Sequence, residues 1–517
     1  MKNTKQCSML FLILFFLSAC SANQPKEIKE EANTGRETLS QKAIKEDLTY
    51  LDEFLQKSSS YQGLNGFDYQ KAFANFQDNL PHSGTTSADF GIFLAETIGQ
   101  LGDRHAYVKG YDLPNSKFLP FVVAPLTDKV VGLKYDKSTK TYAFLYPNHP
   151  YLTAINNTPI DEFLQKIELR GKLAPKKSFF SRAVKRLKYM EKNYALMKEP
   201  LPDTFTFTFS NEAGRDTVIN QALENSRKKH FTWNEKFDLK YGHIREDEAF
   251  NDEEIAKQLF SIKKGNVGYI HLPSMLYEED APIIYKGLND FMNEQTTKAT
   301  NAMIVDVRSN GGGVRGLIWE LAGYFTHPDS IYVVNVAQQR AELPLNEDWK
   351  ADLHNRFLYA FETLDKEEQI TVTRFLETFQ PMYDLPKDKF SPFYYALFNG
   401  KKLGKNKYHY NKPIYILTNE RSFSAASILV TTFKGLPNVQ VMGVNTDGSS
   451  GNSERLELPN SGLKCKIRTM VSFQKDGKIL DGFGTAPDRL IERNIDHLLW
   501  KTDNQLEEVL EISTKIK

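Results

Sequence analysis

The stretch "KPIYILTNERSFSAASILVTTF", Lys412 to Phe433, decides how the fold is read. It runs from an apolar strand through a polar turn into small and apolar residues that read as a helix. Ser422 and Ser424 stand where the chain changes direction, and Ala425 and Ala426 follow. A serine there serves either as a helix cap or as a nucleophile. Ser422 is the better cap candidate. Ser424 falls at the helix start, where unpaired N–H donors and the positive dipole end meet. The small side chains behind it leave room for a substrate backbone, and the Ala425 N–H can face an oxyanion. This is the logic of a nucleophile elbow without its G-x-S-x-G sequence.

Upstream, from Asn266, short apolar strands alternate with helices. "NVGYIHL", "NAMIVDV", "SIYVVNVA", "KPIYILT" and "NVQVMGV" read as strands, with "DAPIIYKGLNDFMNEQ" and "VRGLIWELAGYF" as helices between them. The alternation predicts an α/β layer fold with a largely parallel sheet over 262–517, and a helical insertion over about 346–408. Within it, "IVDVRSNGGGVRG" ends a buried strand in three glycines. Glycines there allow close backbone approach and N–H groups that face a developing anion. No Lys-Ser/Thr follows them and there is no GxGxxG, so a nucleotide loop is excluded.

The rest of the chain is organised around this core. Residues 41–114 read as a helical part. One helix over Ser87 to Leu101 ends at Gly102, a plausible C-cap. "LGDRHAYV" then places His105 in a polar turn before a short strand, and histidine is the usual base for a serine hydroxyl. Residues 115–250 read as β-rich, with an Asn156–Asn157 turn and a helix from near Pro159. The basic, aromatic run Lys176 to Lys192 reads as a helix with a solvated face.

Hydrophobic residues make up 40% of the 517, enough for real cores, while the net charge of +1 gives no support for nucleic-acid binding. Cys7, Cys20 and Cys465 have no metal-ligand or disulfide spacing, so no metal is expected and Cys465 reads as a structural thiol. Lys2 and Lys5 precede an apolar run too short to span a bilayer, ending in Leu17-Ser18-Ala19-Cys20. That ending resembles the bacterial lipobox. Residues 1–20 are then a signal with Cys20 as the lipidated mature N-terminus, and 21–40 a polar tether. Ser21 after the cysteine implies the outer membrane if the cell is Gram-negative, with the protein anchored extracytoplasmically in the cell envelope.

Taken in order, "LGDRHAYV", "DVRSNGGG", "LTNERSFSAAS", "LPNSG" and "DGFGTAPD" resemble the motifs of the tail-specific, or C-terminal processing, protease family, in its histidine-using branch with the tricorn protease core. The resemblance implies a crotonase-like or ClpP-like α/β core, a serine endopeptidase acting on protein or peptide substrates, and no cofactor. Carried over by position, it implies Ser424 as nucleophile, Gly312 and Ala425 as oxyanion donors, His105 as base, and Asp481 as the acid that orients it, with Asp103 as a rival. "YLTAINNTPIDEFL" resembles the strand and turn of the family's PDZ-like domains, with Asn157 for the usual glycine. The chain departs from the family where Ser449 replaces the lysine of its other branch and Arg104 replaces the serine before the histidine. Activity is then expected to rise with pH through the ordinary histidine range, about 6–7.5. Lys464 and Lys466 are the next bases if His105 is not used. The same departures keep open an inactive, peptide- or ligand-binding lipoprotein of this fold.

Overall fold

The computed structural model describes residues 38–226, 232–235, 252–294 and 298–515. The signal, the Cys20 lipobox and nearly all of the tether lie outside the described residues.

A six-stranded sheet organises the C-terminal half. Its order is Phe260–Lys263, Val267–His271, Ala302–Asp306, Ile414–Thr418, Val439–Gly443 and Arg489–Leu490, parallel except for the first strand. The Val267, Ala302 and Ile414 strands are buried at every residue. Unbroken apolar runs form strands here because both faces are covered. Met303, Val305, Ile414 and Ile416 pack with the helices Pro282–Asn293, Gly316–Phe325 and Ala425–Phe433. Ile304, Tyr415, Leu417 and Met442 pack with Val509 of the terminal helix Asn504–Lys515.

"SIYVVNVA" does not join this sheet. Ile331–Gln339 pairs antiparallel with Tyr394–Asn399 and Met470–Phe473 in a second, four-stranded sheet. The insertion over 346–408 is correspondingly not all helical. It supplies helices Glu347–His354 and Lys366–Leu376, but also the wholly buried strand Tyr394–Asn399. An apolar run cannot announce which of two sheets it will join.

Residues 122–221 form a seven-stranded antiparallel sheet around Phe205, Phe207 and Phe209, packed by helices Ile160–Ile167, Lys176–Arg186 and Met190–Met197. Asn156 and Asn157 both take positive φ, as their turn requires.

At the N-terminus, helix Gln41–Ser58 is capped by Ser40, and its buried Asp47 accepts the backbone N–H groups of Asn460 and Ser461, both at 2.9 Å. The helix expected to reach Leu101 stops at Gly99, with Gln100 as its cap; Gly102 lies beyond it at φ 90°. Strand Tyr107–Lys109 then pairs antiparallel with Lys464–Arg468, the middle of a three-stranded sheet. This pairing carries His105 to the core. Cys465, on the same strand, is buried, and burial pushes its thiol up to about 12. Among the described residues no helix is long and apolar enough to cross a membrane, and no group of three or more His, Cys, Asp or Glu could hold a metal.

Candidate active site

Ser424 ends the turn between strand Ile414–Thr418 and helix Ala425–Phe433, with φ 54° and ψ −125°. A residue with a side chain rarely adopts this conformation, and strain of about 1–3 kcal/mol persists only where the surroundings over-determine it. They do so here. The Phe423 N–H donates to the Asn310 carbonyl at 2.9 Å, tying the turn to the glycine loop. Ser422, expected as a helix cap, instead staples the two central strands: its Oγ donates to the Val307 carbonyl at 2.8 Å and accepts from the Asn419 N–H at 3.2 Å. The Asn419 Oδ1 takes the Ser309 N–H at 2.8 Å. Ser424 itself makes no capping hydrogen bond.

The His105 Nε2 lies 3.2 Å from the Ser424 Oγ, although the two are 319 positions apart. The imidazole stacks on the Phe423 ring, with centroids 4.5 Å apart. Its Nδ1 touches the Ser449 Oγ and also Nη2 of Arg468. Burial, and then the positive charges of Arg468, Lys466, Arg170 and Arg104, hold its pKa well below the usual histidine value.

Neither aspartate expected to orient the ring reaches it. Asp481 Oδ1 accepts from the Ser449 Oγ at 3.2 Å and from the Arg104 N–H at 3.0 Å. Its Oδ2 accepts from the Tyr61 hydroxyl at 2.8 Å and from Arg468 at 3.3 Å. Asp103 accepts the backbone N–H groups of His105 at 2.8 Å and Arg468 at 2.6 Å, so it shapes the loop. Burial raises the Asp103 pKa, which Arg468 opposes. Ser449, noted in the sequence only for the lysine it replaces, therefore stands between His105 and Asp481. Arg468 was missed altogether. Among the described residues it heads the largest fully buried side chains, and it donates to the Ser449 Oγ at 2.6 Å. The signal was present, since "CKIRTMVSF" sets Arg468 beside Ile467 and just ahead of the apolar pair Met470-Val471.

Gly312 lies against the nucleophile at φ 90°. A Cβ there would sit 2.4 Å from the Ser424 Cβ and 2.8 Å from the Ala425 nitrogen. Its N–H, expected to face an oxyanion, is donated to Asn310 Oδ1 at 2.8 Å. Arg104, where the resemblance has serine, pairs with the buried Asp447 at 2.7 Å, and Arg182 shares that carboxylate. Of the reserve bases, Lys464 pairs with Glu457 at 3.3 Å on the surface, while Lys466 lies 5.8 Å from the Tyr107 ring centroid.

A half-buried serine on a strained strand-to-helix turn, with an imidazole nitrogen against its hydroxyl, is an arrangement able to activate a serine as a nucleophile. Residues 266–491, somewhat under half of the chain, match the model of peptidase family S41. In fold it is similar to the structure of mature CPAF complexed with lactacystin, with a TM-score of 0.61 and 15% identity over 92% of this chain and 98% of that one. A curated protein of Chlamydia trachomatis is 29% identical over 80 residues, and one of Chlamydia muridarum 30% over 80 residues. Each match covers 15% of this chain and 13% of the relative's length.

Proposed function

We propose that this protein is a lipid-anchored, extracytoplasmic serine endopeptidase in which Ser424 is the nucleophile and His105 the general base. The approach of His105 Nε2 to Ser424 Oγ carries the reading. The base needs its proton on Nδ1 and a lone pair on Nε2. Arg468 has no lone pair to receive that proton, but Ser449 Oγ does. Ser449 then accepts from His105 and Arg468 and gives its own proton to Asp481. Arg468 donating to Nδ1 instead would put the ring proton on Nε2 and leave Ser424 without a base.

Ser424 Oγ attacks the peptide carbonyl as its proton passes to His105 Nε2. The tetrahedral oxyanion meets the Ala425 N–H, and the Gly312 N–H once it has left Asn310. The imidazolium gives its proton to the leaving amine, and water, deprotonated by the same nitrogen, hydrolyses the acyl-enzyme. The β-rich region, which we read as PDZ-like, adds a peptide as a strand. The lipobox supports attachment through Cys20 to the cell envelope, at the outer membrane in a Gram-negative cell.

The engaged Gly312 N–H favours one alternative, a peptide-binding protein without turnover. Peptide hydrolysis that disappears in Ser424→Ala while circular dichroism is unchanged supports the enzyme. Peptide binding without hydrolysis in the unmodified protein supports the alternative.

A further inference from the structure

The basic run Lys176 to Lys192 keeps Lys176 and Lys185 exposed, as a solvated face requires, but it also buries Lys188 and borders a cavity. Helix Lys176–Arg186 and the turn after it wall a cavity of about 400 Å³ into which Arg170, Arg182, Lys185, Arg186, Lys188 and Lys192 converge. Among the described residues of that wall Glu168 is the one carboxylate, and it is taken by Arg186 at 2.5 Å. Arg182 is paired with Asp447. Lys188, only 7% exposed, donates to the Thr232 hydroxyl at 2.5 Å, a neutral partner. Arg170 and Lys192 form no ion pair among the described residues. Arg170 lies over the Tyr107 ring, 5.7 Å from its centroid, and its pKa is lowered by burial and by Arg182 and Arg104. In a chain of net charge +1, this is a local excess of partly desolvated cations that a bound anion would relieve.

The cavity adjoins the candidate active site. The Arg170 carbonyl accepts from Arg104 at 2.9 Å, beside His105. The Arg182 guanidinium lies 5.2 Å from the centre of the Phe423 ring on which His105 stacks. Since His105 must hand its proton to the leaving amine, the peptide beyond the scissile bond runs along the His105 side, toward these arginines.

We propose that this cavity is a specificity subsite for acidic side chains on the leaving-group side of the cleaved bond. The proposal rests on the peptidase reading, which supplies the direction of the bound chain. Guanidinium and ammonium groups at a cavity wall select a carboxylate over its isosteric amide through charge-assisted hydrogen bonds.

Two measurements separate this proposal from the peptidase reading. In the first, short acetylated and amidated peptides alternating alanine with glutamate, and their glutamine counterparts, are bound to Ser424→Ala protein at low and high salt. The glutamate series should bind about tenfold tighter or more at low salt. The preference should collapse in the double variant Arg170→Gln, Lys192→Gln. Equal binding of the two series, or a preference unchanged in the double variant, overturns the subsite. A preference that appears only when the peptides keep a free C-terminal carboxylate also overturns it, because the cavity would then read the chain end. In the second, one hydrolysed peptide is varied Glu against Gln at each position after the cleaved bond. The kcat/KM ratio should favour Glu at one of them by about tenfold. A ratio near one at every position overturns the proposal while leaving the peptidase intact. Absence of hydrolysis overturns the peptidase reading, and with it the assigned direction of the chain, while the binding arm still decides whether the cavity selects acidic chains.

Discussion

Replacing Ser449 by alanine removes one hydroxyl and, with it, the hydrogen-bonded path from Asp481 to the imidazole. In the intact site Ser449 Oγ accepts from Arg468 at 2.6 Å, donates to Asp481 at 3.2 Å, and touches His105 Nδ1. The variant leaves Nδ1–H without that acceptor, and it lets Arg468 Nη2, already in contact with Nδ1, donate to the ring instead. The proton then moves to Nε2, the wrong nitrogen for a base. A hydrogen bond to a charged group contributes about 1.5–3 kcal/mol, and this one stabilises the imidazolium formed in the transition state. At about 1.4 kcal/mol per tenfold, kcat should fall roughly 10- to 150-fold, with KM little changed. Steady-state hydrolysis of a fluorogenic peptide measures both. A kcat within about twofold of the unmodified enzyme would refute the relay. So would an equal loss in KM alone, because the serine would then be handling substrate rather than the base.

Four further outcomes are expected. Because burial and nearby cations hold the His105 pKa well below 6.5, the acid limb of kcat/KM should lie below the ordinary histidine range, correcting the sequence-based figure; a limb centred at 6.5 or higher counts against these surroundings. The sign for stability agrees: as pH falls through 6.5 the unfolded histidine takes a proton that the folded one refuses, so this contribution is intact above 6.5 and lost below it, which denaturant titrations across pH would show. Gly312→Ala, whose Cβ would meet Ser424 and Ala425, should lower kcat by about 10²-fold or more, whereas Gly311→Ala, with open space around it, should be near neutral; equal effects would contradict the packing of the loop on the nucleophile. Asp447→Ala leaves the 3% exposed Arg104 without its carboxylate and should destabilise the fold by about 3–5 kcal/mol in urea, and a change under about 1 kcal/mol would show that the pair is dispensable.

The α/β core was legible because its strands are continuous apolar runs and its helices keep a 3.6-residue period, patterns that burial on two faces imposes directly. The turn at Ser424 was legible for a similar reason: small residues after a strand and a glycine run elsewhere are local signals. The assignment of Ile331–Gln339 to a second sheet was not, because pairing partners are chosen by non-local fit. The same limit hid the polar network. Asp481 stood in a recognisable segment, but its distance from the imidazole is set by where strand Lys464–Arg468 carries Arg468 and where the 445–452 loop sets Ser449. A serine in the place of a lysine reads as a loss in the sequence, whereas in the structure it touches the histidine. The basic helix shows the same limit: charge alone suggests solvent, which holds for Lys176 and Lys185, whereas only the fold gathers Arg170, Arg182 and Lys188 around one cavity.

The central claim, that His105 makes Ser424 a nucleophile, is tested most directly by reaction with a fluorophosphonate probe, read by intact mass and peptide mapping. The account predicts a single adduct on Ser424, absent in Ser424→Ala and slowed by about 10²-fold or more in His105→Ala. An unlabelled Ser424 in the folded protein, or labelling at full rate in His105→Ala, would contradict it.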